Sequence, residues 1–302
     1  KTSANILILG NSGQGKSYLM KLLLLNLLEA GKSAISLDVE HEQKDMCEAV
    51  GGCFLDLMSG QYRINPLEPK CWDAGGSPED MDAPAAFRQS TRLSQHISFL
   101  RDFFRSYKSF TDRQIDVIEI MVGRLYERWR ISDSTDFSRL TQEDYPILSD
   151  MYALIEQEYR NFDEGKYQLY TAAILQEMLL GLHAMCKGAE SKFFNGHTNV
   201  TSSRFVVFGV KGLLQASKNV RSAMLFNVLS YLSDKLLTEG NTAAGLDELY
   251  IWLSNLTAIE YIRNSLTRVR TQESSMILAR QNLEDFDVDG VRELTRPMFA
   301  LH

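Results

Sequence analysis

The sequence predicts an α/β protein with a mainly parallel sheet and an all-α insertion, and three observations carry this prediction. Near the start, two apolar runs flank a helical segment, as in a βαβ unit. A long middle stretch then shows helical periodicity and almost no strand pattern. Strand patterns return near residue 200. We therefore expect a split core, with a first part at 1–84, the insertion at 85–195 and a second part at 196–302.

The opening βαβ unit is predicted from apolar runs and glycine positions. We expect a strand at 5–10, a helix at 17–30 closed by Gly31, and a second strand at 33–38. Short runs, FLDL and YRINP, follow, and a loop rich in Pro, Gly and Asp at about 66–84 marks the boundary. A parallel sheet covered by helices is the expected result.

The predicted insertion consists of amphipathic helices with recognisable caps. Thr111 and Gln114 have capping-box spacing, and Ser149 is expected to cap the helix in MYALIEQEYR. TAAILQEMLLGLHAM supplies another helix. Residues that share a helical face are Leu93, Ile97, Leu100 and Phe104 in one helix and Ile115, Ile118, Val122, Leu125 and Trp129 in the next.

A phosphate-binding pattern lies between the first strand and the first helix. Gly10, Gly15, Lys16 and Ser17 fit G-x-x-x-x-G-K-[ST] in the strand-turn-helix context that the motif requires. The glycines let successive N–H groups face a phosphate at the positive end of the helix. We expect Lys16 to reach the outer phosphates and Ser17 to bind Mg²⁺. The predicted binding residues are Gly10, Asn11, Ser12, Gly13, Gln14, Gly15, Lys16, Ser17 and Tyr18.

A carboxylate pair, Asp247 and Glu248, follows the stretch AAGL in the second part of the core. Asp247 is a candidate Mg²⁺ ligand, and Glu248 is a candidate for polarising an attacking water. The run from Ala243 to Gly245 makes a poor strand, so a solvated helix start is the alternative reading. The pair falls between the runs FVVFGV and SSMILARQ, and the class of NTPases that activate water places one strand between the loop strand and the carboxylate strand.

Three further polar residues near the last predicted strand are candidates. Gln281 ends that strand, where an amide could contact both a terminal phosphate and water, and a surface amide is the alternative. Arg268 and Arg270 precede the strand and are candidate arginine fingers for a neighbouring subunit. Their alternative is a solvated helical face.

Several other features favour structural explanations. LMSGQ at 57–61 resembles a transporter-ATPase signature but lies too close to the loop, so we expect a turn. The acidic stretch VEHEQKDM favours a helix start, with a supporting role near the water as the alternative. His183 and Cys186 lie one helical turn apart without a second pair, so we expect no zinc site.

Composition excludes several protein classes. The chain has 302 residues with a net charge of −7, which argues against an overall basic surface but leaves a local basic stripe open. No apolar run is long enough to cross a bilayer, and no signal peptide is expected. Four irregularly spaced cysteines favour reduced thiols in the cytosol. We expect the chain to be an excised fragment.

The core motifs together resemble a known family. GNSGQGKSYLMKLL, SLDVEHE, YRINPLEP, KFFNGHTNVTSSRFVVFGVKGL, LDEL and RVRTQESSMILARQNLEDF follow the order found in the large ATPases of type IV secretion and conjugation machines. These ATPases belong to the FtsK/HerA branch of RecA-like P-loop motors. The resemblance covers nearly the whole chain and corresponds to the C-terminal ATPase half of those proteins. Gly209 departs from the acidic residue often found there, and Arg280 departs from a usual Thr.

The resemblance implies ATP and Mg²⁺ as cofactors and ATP hydrolysis as the activity. It assigns Asp247 to the metal, Glu248 to water activation, Gln281 to a polar sensor and Arg268 or Arg270 to the finger. It further implies a hexamer, other secretion subunits as partners, and a place at the cytoplasmic face of the bacterial inner membrane. Two alternatives stay open: a DNA-translocating motor or coupling protein, and a structural subunit that binds nucleotide without turnover.

Overall fold

Six strands among the described residues form one sheet at the centre of the fold. The computed structural model describes residues 5–11, 13–72, 91–166, 169–200, 203–247, 257–259, 261–262 and 272–280. All described strand pairs are parallel, and the strand order is β1-β6-β5-β2-β4-β3. The strands are β1 (Ile6–Leu9), β2 (Ser33–Asp38), β3 (Cys53–Asp56), β4 (Phe205–Gly209), β5 (Thr242–Leu246) and β6 (Ser275–Arg280). The predicted α/β class with a mainly parallel sheet is confirmed.

Helices cover both faces of the sheet. α1 (Lys16–Glu29) packs on β1, β2, β5 and β6, while α2 (Lys44–Ala49) packs on β3 and β4. The opposite face carries α8 (Lys218–Thr238), which contacts β5. Successive strand residues alternate between the two faces, as the pleat requires. Ala34 belongs to the core under α1, for example, whereas Ile35 belongs to the core under α8.

Small residues in β5 let α1 approach the middle of the sheet. All five residues of β5 are buried, although the sequence predicted a poor strand there. A Cβ atom built on Gly245 would lie 3.1 Å from Ser36 Oγ, 3.3 Å from Leu24 Cδ1 and 3.4 Å from Met20 Sδ. The weak strand propensity of Ala243, Ala244 and Gly245 is thus overridden by tertiary packing.

The chain leaves the sheet after β3 and forms a set of helices before it returns at β4. Neighbouring helices in sequence contact each other, and α3 also packs along α8. The apolar faces of these helices join the core beneath α8, so one continuous core connects the insertion to the sheet. The helices are α3 (Arg92–Tyr107), α4 (Asp112–Arg128), α5 (Leu148–Arg160), α6 (Ala172–Cys186) and α7 (Ser191–Phe194).

Buried polar contacts attach the segment after β3 to the insertion. His96 on α3 is fully buried; its Nδ1 accepts the Lys70 N–H at 3.1 Å and its Nε2 donates to Pro66 O at 2.9 Å. Burial lowers the pKa of His96 to about 3, so the ring is neutral. Lys70 Nζ lies 2.8 Å from a Glu68 carboxylate oxygen, which also accepts a hydrogen bond from Thr198.

Of the two predicted helix caps, one is confirmed and one is wrong. Thr111 and Gln114 form the expected capping box at the start of α4. Ser149 is not a cap: α5 begins at Leu148, and the Asp150 carboxylate accepts the Ile147 N–H at 2.9 Å. The acidic residue inside the first turn satisfies this donor. None of the described helices has both the length and the apolar character that crossing a bilayer requires.

Candidate nucleotide-binding site

The turn between β1 and α1 has the shape of a phosphate cradle. Gly13 and Gly15 have φ values of +78° and +81°, in a region that residues with a side chain adopt only with strain. Gln14 N–H donates to Asn11 O at 3.3 Å, and the Gln14 side-chain oxygen accepts the Asn11 N–H at 3.2 Å. These bonds curl the main chain. The sequence predicted this turn, and the structure forms it with these residues.

The N-terminus of α1 and the ammonium group of Lys16 both lie at the cradle. α1 begins at Lys16 without a side-chain cap and without an acidic residue in its first turn. Its first N–H groups are thus available for an anion, which the helix dipole also attracts. Lys16 Nζ donates to Asn11 O at 3.2 Å, so the ammonium lies over the loop. This donor set fits a phosphate group.

Asp247 lies at the same edge of the sheet as the cradle. Leu246 at the end of β5 is aligned with Leu278 of β6, which is aligned with Leu7 of β1. Strands β1 and β5 are therefore two strand spacings apart, about 10 Å. One strand lies between the loop strand and the carboxylate strand, so the expected strand order is confirmed.

The side-chain oxygen atoms at this edge are of the kind that a magnesium ion prefers. The Ser17 hydroxyl and the Asp247 carboxylate are hard oxygen donors, which Mg²⁺ prefers. Among the described residues no group of three or more His, Cys, Asp and Glu side chains could enclose a metal. Mg²⁺ usually binds through one or two protein ligands and takes the rest from substrate phosphates and water, so this sparse set fits it.

Sequence reasoning did not single out Asp38, the last residue of β2. Leu37 pairs with Leu246, so Asp38 and Asp247 are the next residues on two neighbouring strands. The Asp38 carboxylate is buried and accepts the N–H groups of Glu42 at 3.1 Å and Gln43 at 2.7 Å. Desolvation by burial raises the pKa of Asp38 against the effect of these hydrogen bonds. The available signal was an acidic residue at the end of a strand whose other residues are apolar or serine.

The turn after β2 connects three parts of the core. Lys21 on α1 donates to Glu42 O at 3.0 Å and lies 3.6 Å from the Glu42 carboxylate. His41 has a φ of +62°, and its Nε2 accepts the Lys211 N–H at 3.3 Å from the segment after β4. The acidic stretch at this point was predicted to be a helix start, and α2 begins at Lys44 directly after the turn.

Gly209 has no room for a side chain. A Cβ atom there would lie 2.4 Å from Phe54 Cζ and 2.6 Å from His41 Nε2. The departure from an acidic residue at this position therefore has a local cause, because the two rings occupy the space.

Several predicted site residues lie outside the described part of the chain. They are Ser12, Glu248, Gln281, Arg268 and Arg270. Of the remaining predicted residues, Tyr18 is 72% exposed. Arg280 ends β6.

Two of the features for which a structural explanation was expected are the LMSGQ segment and the pair of His183 and Cys186. LMSGQ forms a short 3-10 turn followed by Gly60. Cys186 is buried, and burial raises the pKa of its thiol to about 12, whereas His183 is exposed and contacts the Tyr152 ring.

Comparison with known proteins agrees with this fold. A family model described as the TraG P-loop domain matches residues 1–67. The VirB4 structure of Thermoanaerobacter pseudethanolicus superimposes with a TM-score of 0.83 and 27% identity, over 98% of this chain and 75% of that one. The shared fold thus extends beyond the loop to the insertion and the second part of the core.

Two curated proteins show related sequences. Protein TraC of Escherichia coli K12 is 23% identical over 98% of this chain and 31% of its own length. An uncharacterized protein of Bacillus anthracis is 24% identical over 82% of this chain and 39% of its own length. The chain therefore spans between 31% and 39% of these two relatives.

Proposed function

We propose that the chain binds and hydrolyses ATP to drive type IV secretion or conjugation. The match of its loop to the TraG P-loop domain and the similarity of its fold to VirB4 and of its sequence to TraC support this proposal. One observation carries this proposal: the glycine cradle, the uncapped start of α1 and Lys16 lie at the same sheet edge as Asp247, the residue that follows β5. Residues 10–18 bind the phosphates, with Lys16 on the outermost group.

Each remaining site residue has one role in this proposal. Ser17 and Asp247 hold Mg²⁺, which neutralises charge on the phosphates when it is bound. Glu248 accepts a proton from the attacking water, and Gln281 orients that water. Arg268 or Arg270 reaches the site of a neighbouring subunit in an assembled hexamer. The proposed partners are other subunits of the secretion machine, which bring the chain to the cytoplasmic face of the inner membrane.

Two substitutions separate binding from turnover. Lys16→Ala should abolish binding of a fluorescent ATP analogue, because the cradle loses its only lysine. Glu248→Gln should bind the analogue yet release no phosphate over multiple turnovers. The control Lys187→Ala removes an exposed lysine at the end of α6 and should retain both properties. Normal turnover in Lys16→Ala or Glu248→Gln would remove the assignment.

A further inference from the structure

A second cavity, apart from the phosphate cradle, opens between the end of α3 and the beginning of α8. Its volume is about 410 Å³, and its lining includes none of residues 10–18. One wall comes from residues 105–109 and the other from residues 218, 219, 221 and 222. The buried side chains of Leu225 and Phe226 form an apolar floor. We call this cavity the basic cleft, after the four cations that line it: Arg105, Lys108, Lys218 and Arg221.

The charges of the basic cleft are only partly compensated. Arg105 donates to the Asp112 carboxylate at 2.8 Å and lies 4.0 Å from an Asp102 carboxylate oxygen. Among the described residues, the hydrogen-bond acceptor of Lys108 Nζ is a neutral carbonyl, Gly181 O, at 3.3 Å. Lys218 and Arg221 form no ion pair with any residue that the structure describes. In a chain of net charge −7, this concentration of positive charge is a local exception.

The position of Lys218 and Arg221 strengthens the positive potential. Both lie in the first turn of α8, which contains no acidic residue. A helix of 21 residues usually favours acidic side chains at this end, because the dipole is positive there. Two cations at this end repel the dipole and each other. An anion bound in the basic cleft would relieve this repulsion.

The neutral donors of the basic cleft point to phosphate. Ser106, Ser109, Asn219 and Ser222 line it together with the cations. Proteins contact the phosphates of nucleic acids with this combination of Arg, Lys, Ser and Asn side chains and helix N-termini. The volume can take a short backbone segment, whereas a duplex is far wider.

We propose that the basic cleft binds the phosphodiester backbone of a single nucleic-acid strand. This site is separate from the ATP site and does not depend on hydrolysis. Binding there is electrostatic in origin, so it weakens as salt displaces the released counterions.

The test measures binding of a labelled oligothymidylate to the whole chain by fluorescence anisotropy, without nucleotide and across a salt series. In the double variant Lys218→Gln/Arg221→Gln we expect binding at low salt to weaken at least about tenfold, and the slope of log K against log salt to fall by about 1.4. The control Arg130→Gln/Lys187→Gln removes the same two residue types from exposed positions outside the cleft and should bind as the parent does. Circular dichroism of both variants checks that they are folded.

Three results would overturn the proposal. The first is unchanged oligothymidylate binding in the cleft variant. The second is an equal loss in the control, which would indicate attraction to the whole surface. The third concerns competition: poly-glutamate or inorganic phosphate, at the same concentration of charge, would displace the labelled strand as effectively as unlabelled oligothymidylate does. Lys16→Ala should still bind oligothymidylate, which separates a failure of this site from a failure of the ATP site.

Discussion

Gly209→Ala should destabilise the fold, because the new methyl group would collide with two rings. Its distances of 2.4 Å to Phe54 Cζ and 2.6 Å to His41 Nε2 are far below contact distance. Overpacking of this kind costs about 1–3 kcal/mol. Replacing glycine also restricts the unfolded chain, which returns about 0.4–1 kcal/mol. The collision is the larger effect, so we expect a net loss of about 1–2 kcal/mol.

Urea unfolding followed by circular dichroism measures this change, and two further variants test its cause. Gly123→Ala is the matched control: it lies inside α4 with nothing within 4 Å of the added methyl, so it should stabilise by about 1 kcal/mol. Gly209→Ala/Phe54→Leu removes the closest ring atoms, so the double variant should be more stable than the sum of the single changes predicts. A Gly209→Ala protein as stable as the parent, or strict additivity in the double variant, would refute the reasoning.

Three other predictions concern pH, capping and thiol chemistry. The pKa of His96 is about 3 in the folded chain, below its value in the unfolded chain, so the unfolded chain binds a proton more readily as pH falls. The free energy of unfolding should therefore fall by about 2 kcal/mol from pH 7 to pH 5, and by less in His96→Gln. Urea titrations at each pH would measure this difference. Thr111→Ala should cost about 1 kcal/mol because the capping box is lost, whereas Ser149→Ala should change stability by less than about 0.5 kcal/mol; equal effects in thermal melts would contradict the assigned caps. Cys186 should resist iodoacetamide at pH 8 until the protein unfolds, because burial keeps its thiol protonated; mass spectrometry that finds rapid labelling of the folded chain would oppose this.

The fold was largely predictable where local pattern and tertiary structure agree. β2 was predicted at its observed bounds, since Gly31 precedes the segment and an acidic stretch follows it. β5 was underestimated, because Gly245 has low strand propensity and only the close approach of α1 explains it. The start of α5 was misplaced because Asp150, inside the helix, satisfies the donor that Ser149 was expected to satisfy.

The candidate site was predictable only in part, for a similar reason. The phosphate loop is local in sequence, so its residues identify it directly. The position of Asp38 beside Asp247 depends on the strand register that pairs residues 37 and 246. No spacing in the sequence reveals that pairing. The basic cleft likewise joins two segments more than a hundred residues apart, so its charge was hidden in the negative total.

The attachment of the insertion has a consequence for how such chains diverge. Strands β3 and β4 are paired neighbours, and a parallel crossover needs only about a dozen residues. The connection from 57 to 204 is far longer, so its length and content are free of the demands of strand register. Among the described helices of this connection, α3 packs along α8. Sequence changes should therefore accumulate in helices α5 and α6. Changes in α3 should be fewer, because α3 packs on α8, and α8 in turn packs on the sheet.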